Sequence, residues 1–178
     1  MIANGEWLTP TRASGMAAYG VAVTSCGIVW ARARSARKIR KIAAWLTAIE
    51  SVLLLDMIVD GRWVLHQFFV NIAQNQHEYD LRGSPQLIVV TLLVGILLVS
   101  LFFSLRLLRA RIGALLAVSG VLLSFITWCI EVVSLHQIDA LLYRQVWRFM
   151  VVSFIWIAGC LMTSAGILFE SRRANAAI

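Results

Sequence analysis

The sequence predicts an all-α fold, a polytopic bundle of five transmembrane helices with its N-terminus outside and its C-terminus in the cytoplasm. Hydrophobic residues make up 60% of the 178-residue chain and charged residues 14%, whereas soluble domains average about 45–50% and about 25%. The apolar residues form runs close to the roughly 20 residues that cross a bilayer. Basic residues lie in short blocks between these runs, so we expect one membrane domain over residues 1–178.

Three of the predicted spans are uncharged runs that are rich in Leu, Ile and Val. They cover about residues 87–105, 112–130 and 149–169, and no proline interrupts them. A stretch of this length without a charge is typical of a transmembrane helix.

Two further spans are predicted in the first half of the chain. Residues 14–31 form a run with many small side chains, and residues 42–59 form a run that carries Glu50 and Asp56. We expect the second of these helices to extend beyond the membrane to about residue 74. The basic block follows the first run, whereas a signal peptide has basic residues before its apolar stretch. We therefore expect the first span to be retained.

Basic residues predict the orientation, because short cytoplasmic loops are enriched in Lys and Arg. Five spans place three basic blocks on one side of the membrane, and four spans would divide them. These blocks contain Arg32, Arg34, Arg37, Lys38, Arg40 and Lys41, then Arg106, Arg109 and Arg111, then Arg172 and Arg173. The net charge of +7 thus reflects topology, and we expect no nucleic acid binding. The compact loops indicate a bacterial-type inner membrane.

Small residues spaced by three and four positions mark helix faces that can approach another helix closely. In the first span they are Ala13, Ala17, Gly20, Thr24, Gly27 and Ala31. In the fourth span they are Gly113, Ala117, Gly120, Ser124 and Thr127, followed by Glu131, and the fifth span has Gly159, Thr163 and Gly166. These seams predict tight packing, either within the chain or against a partner. Span 87–105 has few small residues and is expected to face lipid.

Ionisable residues in the apolar runs are the main pointer to function, because buried charge in a membrane is costly. Glu50 lies near the middle of the second span, on a partly small face that is expected to point into the bundle. With the predicted topology, a further set of ionisable residues gathers near the outer surface, namely Asp60, Arg62, His66, Glu131, His136 and Asp139. The candidate polar cluster is Glu50, Asp56, Asp60, Arg62, Glu131, Asp139 and Tyr143. It is either a functional site or a set of ion pairs that fix helix ends.

Histidines suggest a second candidate site. His66 and His136 are expected at similar depth on parallel helices, as the two axial ligands of a b-type haem are. A metal ion held there would need further ligands, for which Asp60, Asp139 or Glu131 are available. Cys26, Cys129 and Cys160 form no CxxC pair and are expected to be buried apolar residues.

Three functions remain open from the sequence. The chain lacks the usual catalytic motifs, so an enzyme is the less favoured class. The leading hypothesis is a non-catalytic subunit or assembly factor of a larger membrane complex, in contact with lipid and with a protein partner or further copies of itself. The alternatives are a haem or metal redox protein that uses His66 and His136, and a proton or ion transporter that uses Glu50 and the outer acids. The amphipathic stretch 134–148 is expected to form an interfacial helix.

Overall fold

The computed structural model is an all-α helical bundle with one short β-hairpin. It describes residues 8–33, 37–75, 83–108, 111–133 and 136–176, apart from a few side chains within the helices. The elements are α1 Pro10–Arg32, α2 Arg37–Val59, α3 Gly61–Asn75, α4 Gly83–Leu107, α5 Ile112–Val133, α6 His136–Leu142, β1 Gln145–Val146, β2 Phe149–Met150 and α7 Val151–Ala176.

Four of the described helices are long and apolar enough to cross a membrane, namely α1, α2, α5 and α7. They coincide with four of the predicted runs, so the prediction of an all-α bundle is confirmed, and the length and composition of these helices support the membrane assignment. The fifth predicted run lies in α4, of which Thr91–Arg106 is apolar but shorter. The described large side chains of α4, such as Leu92, Ile96 and Phe103, are mostly exposed. This agrees with the expectation that this helix faces lipid.

Helices α5 and α7 pack against each other in opposite directions along their small residues. A Cβ atom added to Gly113 would lie 2.7 Å from the carbonyl oxygen of Gly166, and one added to Gly120 would lie 2.6 Å from the Thr163 nitrogen. Only glycine allows the two backbones to come this close. The seams predicted in the fourth and fifth spans are therefore confirmed as one helix–helix contact.

The predicted seam of α1 lies on the outside of the bundle. Helix α1 buries the face that carries Gly15, Tyr19, Ala22 and Cys26 against α2 and α7. The seam is offset from this face by two residues, which is about 200° around a helix. Its members Ala17, Thr24 and Ala31 are exposed, and a Cβ atom at Gly20 or Gly27 would have no neighbour within 4 Å.

Asp60 separates α2 from α3, so the predicted continuous helix towards residue 74 has a break. Asp60 has a φ of 60°, a left-handed conformation that ends an α-helix. The Arg12 guanidinium then satisfies the exposed end of α2, since its Nε and Nη2 atoms donate to the carbonyl oxygens of Met57 and Ile58, both at 3.0 Å. The chain resumes as α3 at Gly61.

The predicted interfacial helix over residues 134–148 is wrong beyond Leu142. Helix α6 ends there, and a two-residue turn connects β1 to β2 in a hairpin that pairs Val146 with Phe149. Trp147 makes this turn possible by adopting a φ of 62°. The amphipathic pattern could not show that this short segment pairs with itself.

Contacts at the helix ends fix the relative directions of the helices. Arg62, just after α2, contacts Glu131 near the end of α5, so α2 and α5 run in the same direction. The Met150 nitrogen donates to Thr11 Oγ1 at 3.1 Å, so α1 and α7 begin at this same end. We name it the Arg62 end, and we name the opposite end, where α5 begins, the Arg111 end.

Candidate functional site

The candidate site is a group of ionisable side chains gathered at the Arg62 end. Arg62 Nε lies 2.9 Å from Asp56 Oδ2, and Arg62 Nη1 lies 2.6 Å from Glu131 Oε2. The side chains of Arg62, Asp56 and Glu131 are only 11%, 10% and 2% exposed. Tyr143 donates to the second oxygen of Glu131 at 3.3 Å. We refer to these four residues as the Arg62 network.

The break at Asp60 is what brings Arg62 onto Asp56. In an unbroken helix, residues six positions apart lie about 120° apart around the axis and about 9 Å apart along it. The left-handed Asp60 turns α3 so that Arg62 folds back over the last turn of α2. Gly61 is needed in this turn, because a Cβ atom there would lie 2.9 Å from Asp56 Oδ1.

Arg62 stays charged in this setting. Burial lowers the pKa of the Arg62 guanidinium, but Glu131 and Asp56 raise it by more, so that the pKa lies above its ordinary value. The guanidinium also lies 5.1 Å from the centre of the Trp156 ring and 3.4 Å from Met57 Sδ. One cation thus ties α2, α3 and α5 together and contacts α7.

A second ion pair, which the sequence analysis did not identify, lies beside this network. Arg12 Nη1 is 3.5 Å from Asp60 Oδ2, with side-chain exposures of 15% and 46%. Arg12 does not belong to any of the three basic blocks. Its place in the first turn of α1, at the end where α2 finishes, was the available signal.

Glu50 belongs to a separate environment nearer the middle of the bundle. It is six residues before Asp56, or about 9 Å along the helix, and it is fully buried. The Cys160 thiol is 4.0 Å from Oε2, and Oε1 has no hydrogen-bond partner among the described residues. The expectation that Glu50 points into the bundle is confirmed, but Glu50 does not join the Arg62 network.

Glu170 is another buried carboxyl group, which the sequence patterns had not indicated. It is 5% exposed and lies 3.8 Å from Arg111 at the Arg111 end. The seam Gly159, Thr163, Gly166 reaches Glu170 at its next step, just as the seam of α5 reaches Glu131. Extending the small-residue pattern by one turn would have found it.

The predicted haem ligands are not tested by these contacts. The backbone of His66 lies in α3 and that of His136 begins α6, while the side chains of His66, His136 and Asp139 lie outside the described part of the chain. Among the residues that were described, no group of three or more His, Cys, Asp or Glu could hold a metal ion. Cys26, Cys129 and Cys160 are buried free thiols.

Comparisons with protein-family models, curated proteins and solved structures found no match for this chain. The chemistry of the site therefore follows from its own geometry. Asp56 and both oxygens of Glu131 already have partners in the Arg62 network. Such paired groups hold helices in position, whereas Glu50 keeps an oxygen without a partner.

Proposed function

We propose that this chain is a multi-pass inner-membrane protein that crosses the bilayer five times. The ion pair between Arg62 and Glu131 supports the number of crossings. Helices α2 and α5 end on the same side, so the chain between them has to cross back. A segment that crosses the lipid has to be helical, since unpaired backbone groups are costly there. Helix α4 is the apolar helix between α2 and α5, so we assign the return crossing to it.

The distribution of basic residues supports a cytoplasmic Arg111 end. The end of α1, the start of α2, the end of α4 and the end of α7 all carry Arg or Lys there. By the positive-inside rule this end faces the cytoplasm, which leaves the N-terminus outside.

Within that membrane, we propose that the protein is a non-catalytic subunit or assembly factor of a larger complex. The observation that carries this proposal is the outward face of α1. A Cβ atom added to Gly20 or Gly27 there would have no neighbour within 4 Å. Helices in lipid associate through small residues that let backbones approach, and the chain itself uses such a seam between α5 and α7. We assign the face of α1 to a transmembrane helix of another subunit.

Blue-native electrophoresis of membranes that contain a tagged copy tests this proposal. We expect wild-type protein to migrate in a complex, and the double variant Gly20→Leu with Gly27→Leu to migrate as the free chain. The matched control is Gly95→Leu, which fills an equally open glycine on α4 and should leave the complex intact. A wild-type protein that is monomeric, with all membrane complexes unchanged on its deletion, contradicts the proposal. Two differently tagged copies distinguish a homo-oligomer from a complex with another protein.

The haem hypothesis needs a separate test, because the side chains of His66 and His136 lie outside the described part of the chain. An absorption spectrum of the purified protein after haem supplementation would show a Soret band if these residues bind haem. A spectrum without that band, together with the absence of bound metal, removes the hypothesis.

Among the acids considered for proton or ion transport, Glu50 is the remaining candidate. Asp56 and Glu131 share Arg62, and Asp60 pairs with Arg12, so these acids are poor candidates for a relay. Proton flux in proteoliposomes that is unchanged by Glu50→Gln would dismiss a transport role.

A further inference from the structure

Glu50 lies among buried polar side chains that three other helices contribute. Tyr19 and Cys26 of α1 and Cys160 and Thr163 of α7 interact electrostatically or by hydrogen bonding with it. Helix α5 adds Ser124 beside Cys160. All six side chains are less than 2% exposed. The carboxyl group is therefore shielded from both the lipid and the aqueous phases.

No described cation neutralises Glu50. Arg62 is bound to Asp56 and Glu131, Arg12 pairs with Asp60, and Arg111 pairs with Glu170. The groups around Glu50 are hydroxyls and thiols, of which the Cys160 thiol is a weak donor at 4.0 Å. A carboxylate in such surroundings has neither a counter-charge nor the hydrogen bonds that compensate for lost water.

The oxygen of Thr163 is suited to accept a hydrogen bond from a carboxylic acid. Its hydroxyl donates at 3.0 Å to the carbonyl oxygen of Gly159, one turn earlier in α7. The single hydroxyl proton is thus used within α7, and the lone pairs of Oγ1 remain available. A protonated Glu50 would supply the missing donor, whereas an ionised one would add another acceptor.

We propose that Glu50 is a proton-binding site in the middle of the membrane, where the folded bundle holds one proton taken from the aqueous phase at neutral pH. Glu131 and Glu170 differ from it, because each has an arginine partner. The site is independent of the proposed association with a partner. It is also independent of whether a proton ever crosses the membrane.

Infrared spectroscopy of the purified protein in lipid nanodiscs at neutral pH tests this site. A protonated carboxyl group has a carbonyl stretch that is distinct from the bands of a carboxylate. We expect wild-type protein to show this band and the band to shift when glutamate carries ¹³C in its side-chain carboxyl group. Glu50→Gln should remove the part of the band that Glu50 contributes, and the matched control Glu170→Gln, which alters a paired buried acid, should leave the band unchanged.

A second variant covers the case in which Glu50→Gln fails to fold. Glu50→Asp should keep the band but remove its shift on ¹³C-glutamate labelling, because the acid is then an aspartate. A labelled wild-type protein without the band overturns the proposal, and so does a labelled band that keeps its full wild-type intensity in Glu50→Gln or Glu50→Asp.

Discussion

At the scale of single residues, Arg62 is the side chain on which most contacts depend. It is the partner of two carboxyl groups that are almost completely buried. Removing one member of a buried ion pair leaves its partner without compensation, at a cost of about 3–5 kcal/mol.

We expect Arg62→Gln to lower the free energy of unfolding by about that amount, since Asp56 and Glu131 would both lose their cation. Reversible unfolding in mixed micelles measures this quantity. Arg148→Gln is the control, because Arg148 is exposed on the hairpin turn. Equal stability of the two variants would mean that the Arg62 network does not hold the helices.

Trp147 is a residue whose backbone conformation is unfavourable for its type. It has a φ of 62° and its side chain is 95% exposed. Left-handed backbone costs an ordinary residue about 1–2 kcal/mol, and Asn tolerates it better than most.

Trp147→Asn should therefore raise the free energy of unfolding slightly, and Trp147→Val should lower it by about 1 kcal/mol, because a β-branched side chain is the least compatible with this conformation. The same unfolding measurement compares the two. A valine variant as stable as the asparagine variant would show that the turn is not left-handed at this position.

At the scale of helices, glycines of similar sequence context have opposite roles. Gly120 lies against the backbone of α7, while Gly27 on α1 faces open space. We expect Gly120→Ala to destabilise the bundle by about 1–3 kcal/mol, since an extra methyl group forces the helices apart.

Gly27→Ala provides the matched control for that substitution. It should not lower the free energy of unfolding, and the higher helix propensity of alanine should raise that free energy by up to about 1 kcal/mol. Thermal unfolding of both variants in the same detergent measures the difference. A Gly120→Ala variant that unfolds with wild-type stability would contradict the close contact between α5 and α7.

The sequence predicted those features of the helices that depend on local periodicity. Small residues at Gly113, Gly120, Gly159 and Gly166 marked the α5–α7 contact because each helix had only one such face. Helix α1 has small side chains on two faces, and the face that is buried also carries the large side chain of Tyr19. Which face packs inside depends on neighbours that are far away in sequence.

Features that depend on tertiary contacts were harder to predict. The convergence of Arg62 and Glu131 followed from topology, but their direct contact depends on the break at Asp60. Asp60-Gly61 is a visible turn signal, although the apolar pattern beyond it favoured continuity. Arg12 was missed because its role is to bind the carbonyl groups of another helix.

At the scale of the whole molecule, buried acids beside the apolar core and large apolar side chains on the exterior distinguish this bundle from a soluble protein. Glu50, Glu131 and Glu170 are buried, whereas Trp45 is 72% exposed and Val59 67%. An aqueous environment would favour neither arrangement, but lipid favours both, because it solvates the apolar exterior and excludes charge.

Membrane topology is the central claim, and the accessibility of single cysteines tests it most directly. Arg37→Cys, Arg106→Cys and Arg148→Cys would each be made in a chain without Cys26, Cys129 and Cys160, and intact cells would be treated with a membrane-impermeant maleimide. We predict that Arg148→Cys reacts in intact cells, and that Arg37→Cys and Arg106→Cys react only after permeabilisation. Labelling of Arg37→Cys and Arg106→Cys from opposite sides would mean that α4 does not cross the membrane, and would contradict the five-span bundle.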